Sequence, residues 1–396
     1  MVFISKNHLL HFTGNYNLKK SAALLTALLL FSCRLPVTTF NDIEDAISYS
    51  ASTLSSISEQ VDSLKVMTWN IRYGAARIPW FEDSCGDRVH MTTSEVISHL
   101  DSIAAYINTD KAIDILLLQE VDVSSKRSAY IDQVQYLLDN THFNYAVYGS
   151  MWQSDIIPNG GIGKVDVGVA ILSRWKLVEA ERIQLPLRED QKFYEKYFYL
   201  RRCMVKAKVE ILGWDNLYTI NIHAVSFSTD DTKQKHIVEY KNVLDDLHNR
   251  GFNFISGGDL NAIPPGADSL DYCLEDQCNQ DQDKYIWHTS NDPKHYHRKG
   301  SYYNNFKAVG EYPSEPDLLT IIYDNYYSGI NSDINNISNF TYGARNDGNP
   351  DKQFRDRKLD YLFTNYHDGY FSGYTHKEAE LYSDHIPVSA ILYKNP

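Results

Sequence analysis

The chain has 396 residues, a formal net charge of −13 at pH 7, 43% hydrophobic residues and five cysteines. This apolar content is enough for a sizeable core and excludes an intrinsically disordered protein. Lysine and arginine surfaces supply most non-specific affinity for nucleic acids, so the acidic balance argues against a protein that tracks long nucleic acids, although a local basic groove stays possible.

The first 33 residues have the pattern of a secretory signal peptide. Lys19-Lys20 precedes an apolar run over 22–31, which is too short to cross a bilayer as a helix. The ending Leu30-Phe31-Ser32-Cys33 resembles a bacterial lipobox, in which the cysteine is lipidated and becomes the mature N-terminus. The alternative is a cysteine that stands there by chance. We therefore predict an exported bacterial lipoprotein, anchored to the membrane through Cys33, in the periplasm or on the cell surface.

Residues 34–64 are rich in serine and are typical of a polar tether. Apolar residues between Ile43 and Leu64 fall near helical spacing, so part of the tether is expected to be helical. Residues 65–396 follow as one long catalytic domain, since α/β sandwiches of this size occur as single units.

Apolar runs bounded by polar residues predict buried strands, and amphipathic runs predict helices between them. Thr92 and Glu95 form a capping-box pattern before a helical run that ends at Ile107. A second helical run, from Ile237 to Leu247, follows possible capping residues at 228–230. The mixture predicts layered α and β structure. The predicted strands are 66–71, 113–118, 167–172, 217–223, 252–256, 359–363 and 387–393.

Five motifs place a carboxylate, amide or imidazole beside or at the end of an apolar run. Polar residues that follow buried strands lie at the rim of a sheet, where α/β active sites form, so we expect the five to meet in one cleft. The motifs are Trp69-Asn70, Gln119-Glu120, Asp259-Leu260-Asn261, Leu359-Asp360-Tyr361 and Ser383-Asp384-His385.

At these motifs the chain resembles the endonuclease/exonuclease/phosphatase superfamily of metal-dependent phosphoesterases, from about Lys65 to Tyr393. The resemblance implies a four-layered α/β sandwich, with two packed mixed β-sheets flanked by helices. It also implies that a metal-activated water attacks a phosphate ester, with Mg²⁺ as the cofactor and Mn²⁺ as the alternative. Hard cations of this kind take oxygen ligands, and the resemblance assigns them to Asn70, Glu120 and Asp384, with Glu120 as the principal ligand.

The resemblance assigns catalytic roles to five further residues. Asp259 and Asn261 would face the same side of an extended segment, with Asp259 accepting a proton from water and Asn261 orienting it. Asp360 would hold the imidazole of His385 in one tautomer for general acid or base chemistry. His223 would lie on the opposite side of the phosphate. The structural alternatives are a tight turn at 259–261 and a buried core histidine at His223.

Several other residues match no motif. Arg72 is close enough in sequence to reach a phosphate, but an arginine at a strand edge is more often solvated. His288, His295 and His297 are more typical of a polar loop than of a second metal site. The cysteines other than Cys33 permit two disulfides, and buried free thiols are an equally open alternative for two of them, Cys85 and Cys203. The remaining pair is Cys273 and Cys278, which could close a small loop.

Three segments, 149–164, 187–202 and 271–316, carry none of the motifs. Long segments without regular structure are often functional, so we predict that these three are irregular loops that define the substrate.

The favoured function is a metal-dependent phosphodiesterase that acts as a monomer on a phospholipid or another head-group phosphodiester. The alternative is an exported, deoxyribonuclease-like nuclease with nucleic acid as its substrate. A catalytically dead binding module is less favoured, because every acid and imidazole that the chemistry requires is present.

Overall fold

The computed structural model describes residues 36–81, 87–109, 112–158, 160–226, 228, 230–267, 315–330, 336–343, 355 and 357–394. The predicted signal peptide with Cys33, the segment 271–314 with its three histidines, and three other cysteines lie outside these residues. Cys203 is buried and is a free thiol, which confirms that alternative for this residue. At most one disulfide can therefore form among Cys85, Cys273 and Cys278.

Fourteen strands make up the described β structure. In chain order they are β1 (Ile43–Asp45), β2 (Ile47–Ser50), β3 (Ser63–Asn70), β4 (Ile113–Asp122), β5 (Tyr145–Ile157), β6 (Gly163–Ser173), β7 (Leu177–Gln184), β8 (Cys203–Val209), β9 (Leu217–His223), β10 (Asn253–Asp259), β11 (Tyr327–Ser328), β12 (Asp360–Thr364), β13 (Phe371–Thr375) and β14 (Val388–Tyr393). Each of the seven predicted strands is present, within a few residues of its predicted ends.

The described helices are α1 (Thr93–Thr109), α2 (Gln133–Asn140), α3 (Phe193–Phe198), α4 (Thr232–Asn249), α5 (Glu315–Leu318) and α6 (Thr320–Tyr323). The Thr92 N–H donates to Glu95 Oε2 (2.8 Å) and the Glu95 N–H donates to Thr92 Oγ1 (3.3 Å), so the capping box is confirmed. At the start of α4, the Thr232 N–H donates to Asp230 Oδ1. None of the described helices is long and apolar enough to cross a membrane.

The strands form two seven-stranded sheets, in the orders β13-β14-β3-β4-β6-β5-β2 and β1-β7-β8-β9-β10-β12-β11. The pairs β3–β4 and β9–β10 are parallel and the other pairs are antiparallel, so both sheets are mixed. One apolar core lies between the sheets, a second lies under α1 and α2, and a third lies under α4. These layers confirm the predicted four-layered α/β sandwich.

The segment predicted to be a partly helical tether forms an edge strand in each sheet. β1 pairs with β7 and β2 pairs with β5, both antiparallel. The prediction of helix is wrong here because the open edges of the two sheets offer backbone hydrogen bonds that the segment satisfies as strand. The side chains of Ile43 and Ile47 accordingly remain exposed instead of forming one buried face.

The segment 149–164 is also not an irregular loop. β5 continues to Ile157 and β6 begins at Gly163, so most of the segment is an antiparallel hairpin. Polar residues in the segment concealed the strand pattern in the sequence. In the structure, two of them are paired within the hairpin, because Ser150 and Gln153 both donate hydrogen bonds to the carboxylate of Asp166 on β6. The segment 187–202 likewise contains the short helix α3.

Candidate active site

Strand register brings three of the predicted residues side by side on the second sheet. His223 at the end of β9 is paired with Asp259 at the end of β10, which is paired with Asp360 at the start of β12. Gly258 has φ 137°, and a Cβ there would overlap the carbonyl oxygen of Ile222, so only glycine permits this close packing. The rim of this sheet therefore carries one imidazole and two carboxylates in a row.

The first sheet supplies Glu120 through a β-bulge. Leu118 pairs with Ala170 and Val121 pairs with Gly168, which leaves two residues of β4 opposite one residue of β6. Glu120 has φ 54°, an unusual value for a non-glycine residue. The bulge places the Gln119 side chain in the core and leaves that of Glu120 27% exposed. Backbone strain at this position thus directs one carboxylate into the cleft.

Asp259 is the centre of the site and is 1% exposed. Its carboxylate accepts hydrogen bonds from Asn70 Nδ2 (3.2 Å), Asn261 Nδ2 (3.1 Å) and the Asn261 backbone N–H (2.9 Å). His223 Nε2 lies 3.2 Å from the same carboxylate. Asn261 has φ 49°, so the segment 259–261 is a tight turn and not extended, although Asn261 still faces Asp259.

Asp360 and His385 form a buried pair, with 2.8 Å between Asp360 Oδ2 and His385 Nδ1. His385 Nε2 points to the other side, 3.7 Å from Asp259 Oδ2. The Tyr342 ring lies against the imidazole at 4.8 Å between centroids, and the backbone carbonyl of His385 accepts a hydrogen bond from Trp69 Nε1. The predicted orienting contact from Asp360 to His385 is therefore present.

Burial and neighbouring charges shift the pKa values of these groups in opposite directions. Burial alone would lower the pKa of His385, but Asp360, Asp259 and Asp384 outweigh it and raise that pKa to about 10. Burial would raise the pKa of Asp259, yet His385 and His223 hold it well below its usual range. Burial raises the pKa of Asp360 to about 6 despite the nearby imidazole of His385. Near neutral pH, an imidazolium thus lies between two carboxylates.

His223 has the opposite character because of its burial and, second, because of Arg202, a residue that the sequence reasoning missed. Burial and the Arg202 guanidinium lower the pKa of His223, so its imidazole is neutral near pH 7 and its Nε2–H donates to Asp259. Arg202 is buried, and its Nε and Nη1 have no hydrogen-bond partner among the residues that the structure describes. A signal did exist in the sequence: β8 runs antiparallel to β9, so the residue just before β8 lies at the rim where β9 ends.

Asp384, the remaining predicted metal ligand, lies 3.3 Å from Arg72 Nε. Arg72 is buried and not solvated, and its Nη1 donates to the carbonyl oxygens of Ala76 and Ile78. Because the loop and the end of β3 hold Arg72 in this way, the structure favours a role in positioning Asp384 over direct contact with a phosphate. All eight predicted site residues therefore lie at one rim. Each of the others contacts Asp259 or lies next to a residue that contacts Asp259.

Within the described part of the chain, one trio of side chains and the single carboxylate of Glu120 could hold a divalent cation. Asp259, Asp360 and His385 offer ligand atoms within 4.8 Å of one another. His385 is already hydrogen-bonded to Asp360 and lies against Asp259, so its positive charge offsets part of the negative charge of this trio without an ion. Glu120, by contrast, makes no hydrogen bond within the described part of the chain, and its nearest ionic contact is His223 Nε2 at 3.9 Å. A partly exposed carboxylate with free oxygen ligands fits a hard cation.

The family that matches this chain covers the segment that contains these residues. The family model described as "Endonuclease/Exonuclease/phosphatase family" matches residues 67–385, which is most of the chain. The chain belongs to this family. Members of the endonuclease/exonuclease/phosphatase family are typically metal-dependent hydrolases that act on phosphoester bonds. The matched range begins three residues before Asn70 and ends at His385, so it contains every predicted site residue.

Solved structures are similar in fold at low sequence identity. An endonuclease/exonuclease/phosphatase from Beutenbergia cavernae is 18% identical with a TM-score of 0.49, over 84% of this chain and 72% of that one. A family protein from Leptotrichia buccalis is 15% identical with a TM-score of 0.49, and an AP endonuclease from Archaeoglobus fulgidus is 13% identical with a TM-score of 0.45; each match covers 84% of this chain and 100% of the other. None of the curated proteins compared with the chain matches it.

Proposed function

We propose that the protein is a divalent-metal-dependent phosphoesterase that hydrolyses a phospholipid, or another head-group phosphodiester, at a membrane surface. The observation that carries the proposal is the Asp360–His385 pair, which faces Asp259 and His223 at the rim that also carries Glu120. Groups that can donate and accept protons at fixed positions are what ester hydrolysis needs.

In this proposal each residue of the site has a separate role. Asp360 fixes the direction of the His385 ring and stabilises its protonated form, and the Nε2 of that ring is left to face the reacting phosphate. The neutral His223 imidazole lies on the other side of Asp259. Asp259 already accepts several N–H donors, which weakens it as a base, so this geometry favours an orienting role for it together with Asn261. A proton-accepting role for Asp259 stays a prediction.

Glu120 would hold the divalent cation, with Asn70 and Asp384 as its further ligands. When bound, such a cation supplies positive charge that polarises the phosphoryl group and stabilises the transition state. Mg²⁺ is the expected ion and Mn²⁺ the alternative, because the ligands on offer are carboxylate and amide oxygens.

The preference for a lipid substrate comes from features outside the cleft. The lipobox-like ending at Cys33 supports an exported, lipid-anchored protein that meets its substrate in a membrane, and we propose that it acts as a monomer. The net charge of −13 offers little attraction for a long nucleic acid. A head-group phosphodiester satisfies both observations.

A panel of phosphoesters tests the proposal. The purified full chain is incubated with sphingomyelin, glycerophospholipids, inositol phosphates, nucleotides and DNA, each with Mg²⁺, with Mn²⁺ and with EDTA. We expect the fastest hydrolysis on a phospholipid and none in EDTA. Rapid digestion of DNA with no action on lipids would establish the exported nuclease instead, and full turnover in EDTA would exclude metal dependence.

A further inference from the structure

Three large apolar side chains are exposed on two elements that are hydrogen-bonded to each other, β5 and the helix α3. Phe193 is 87% exposed, Tyr194 is 58% exposed and Ile156 is 55% exposed. We call these three residues the apolar tip. Phe193 and Tyr194 begin α3, and Ile156 lies near the end of β5. Several exposed apolar side chains on neighbouring elements can mark a binding surface, whereas a single one would need no explanation.

The two elements that carry the apolar tip are fixed to each other. Trp152 Nε1 on β5 donates to the carbonyl oxygen of Phe198 at the end of α3 (2.8 Å). The Arg201 N–H donates to the Met151 carbonyl oxygen (2.6 Å), and Trp152 and Phe198 pack on one small apolar cluster of the hairpin. The apolar tip is therefore held by ordered structure.

The first described residue of the chain lies on the same hairpin. The Pro36 carbonyl oxygen accepts hydrogen bonds from the Asp155 N–H (2.8 Å) and from Ser154 Oγ (2.7 Å), next to Ile156. Cys33 is three residues earlier, and three residues span at most about 11 Å of chain. Acyl chains on Cys33 would therefore enter a bilayer within about 11 Å of Pro36.

These elements also border the catalytic cleft. Val167 of β6 is paired with Asp122 at the end of β4, so the part of the hairpin beyond Val167 and Trp152 extends past the rim that carries Glu120. On the other sheet, the segment before α3 is bound to the start of α4, because Asp230 Oδ2 accepts the Glu189 N–H (2.7 Å).

The start of α4 is in turn fixed to the site. Lys233 Nζ donates to the Asn261 carbonyl oxygen (2.6 Å). The hairpin, α3 and the start of α4 thus form one continuous border of the cleft, on the side of Glu120 and His223.

We propose that the apolar tip inserts into the surface of the lipid bilayer to which Cys33 is anchored, and that it turns the open side of the cleft toward that bilayer. A single acyl anchor leaves the orientation of a protein free, whereas a second apolar contact beside it fixes the orientation. The insertion depends on the anchor at Cys33. The orientation of the cleft rests, in addition, on the proposed phospholipid substrate.

Insertion is measured by fluorescence quenching with the full chain in phosphatidylcholine–phosphatidylglycerol vesicles, with or without brominated acyl chains. Phe193→Trp places an indole at the apolar tip, and Leu212→Trp is the matched control, since Leu212 is 61% exposed in the turn between β8 and β9, at the opposite end of these strands. We expect brominated lipid to quench the added emission of Phe193→Trp but not that of Leu212→Trp. Equal quenching of the two variants would overturn the proposal.

Orientation is measured by activity. Phe193→Ser should lower hydrolysis of phospholipid in vesicles by about tenfold, as expected for losing one buried phenyl ring, while a soluble phosphoester is cut at an unchanged rate. Leu212→Ser should leave both rates unchanged. If the Phe193→Ser variant hydrolysed phospholipid in vesicles at the rate of the unmodified chain, the proposed orientation of the cleft would be wrong. Quenching of Phe193→Trp without hydrolysis of any phospholipid would support the bilayer contact and contradict the proposed substrate.

Discussion

Asp259 and Glu120 are both acidic residues at the same rim, yet their surroundings are opposite. Asp259 is buried and accepts hydrogen bonds from two asparagines, with an imidazole on each side. Glu120 is partly exposed on a strained bulge and makes no hydrogen bond to any described residue. The protein itself satisfies the charge of the first carboxylate and leaves the second for a ligand. The site thus has one half that is complete without a cofactor and one half that is not.

The largest expected effect concerns Asp360 and His385, in the half of the site that is complete without a cofactor. Asp360→Ala and His385→Ala should each lower turnover on the order of 10² to 10⁴-fold, the range for loss of general acid–base assistance. Because the pair acts as a unit, the double variant should be little slower than the slower single variant. The three variants are compared at saturating metal on the best substrate of the panel.

Multiplicative losses in the double variant would mean that Asp360 does not act through His385. Thr341→Ser is a conservative control, since serine keeps the hydroxyl that accepts the Asp360 N–H and that also interacts with the Asp360 carboxylate. It should retain nearly full activity.

Glu120→Gln tests the incomplete half. We expect affinity for Mg²⁺ to fall on the order of tenfold or more, because a neutral amide replaces the principal carboxylate ligand. The free energy of unfolding without metal should change by less than about 0.5 kcal/mol, since no described hydrogen bond is lost. Titration calorimetry and urea unfolding give the two quantities.

Asp259→Asn is the matched variant for that comparison. It should destabilise the metal-free protein by about 1–3 kcal/mol, because buried N–H donors lose their carboxylate acceptor. If Glu120→Gln destabilised the metal-free protein as much as Asp259→Asn, the contrast between the two halves would be wrong.

Arg202→Met removes a buried guanidinium whose charge acts on His223. The pKa of His223 should rise, because one of the two causes that lower it is gone. Stability should stay the same or increase, since a buried cation without described partners for its Nε and Nη1 is costly. Histidine NMR titration measures the first effect, with Arg202→Lys as the charge-preserving control. An unchanged His223 pKa would show that Arg202 does not control this imidazole.

The last expected effect is a pH dependence of stability at His236, which accepts the Val225 N–H through Nδ1 and whose Nε2 lies 2.8 Å from the Pro186 carbonyl oxygen. Burial lowers the pKa of His236 to about 3. Between that value and the ordinary histidine pKa the unfolded chain binds the extra proton, so stability is lost as pH falls through this window. The loss from this residue should be about 2 kcal/mol at pH 5.

His236→Gln should therefore flatten the acid side of the curve of unfolding free energy against pH. Its stability at pH 8 gives the baseline, because lost hydrogen bonds act at every pH. An acid slope as steep as that of the unmodified chain would assign the pH dependence to other groups, of which His223 is the first candidate.

The sequence alone determined seven of the fourteen described strands, the two long helices and the eight predicted residues that meet at one rim. In β4 the apolar run over 115–118 ends at Gln119 and Glu120, and in β9 a mostly apolar strand ends at His223, so the polar residues at the rim are visible in the sequence. These local signals, together with the order of the motifs, were enough to name the family that the comparison then showed.

Only the tertiary structure decided the features that depend on a distant partner. β1 and β2 are strands because two sheet edges were open, and the polar hairpin β5–β6 is stable because Asp166 accepts the hydrogen bonds of Ser150 and Gln153. Arg202 belongs to the site because an antiparallel register brings the start of β8 to the end of β9. Each of these depends on pairing between residues that are far apart in sequence, which no local periodicity records.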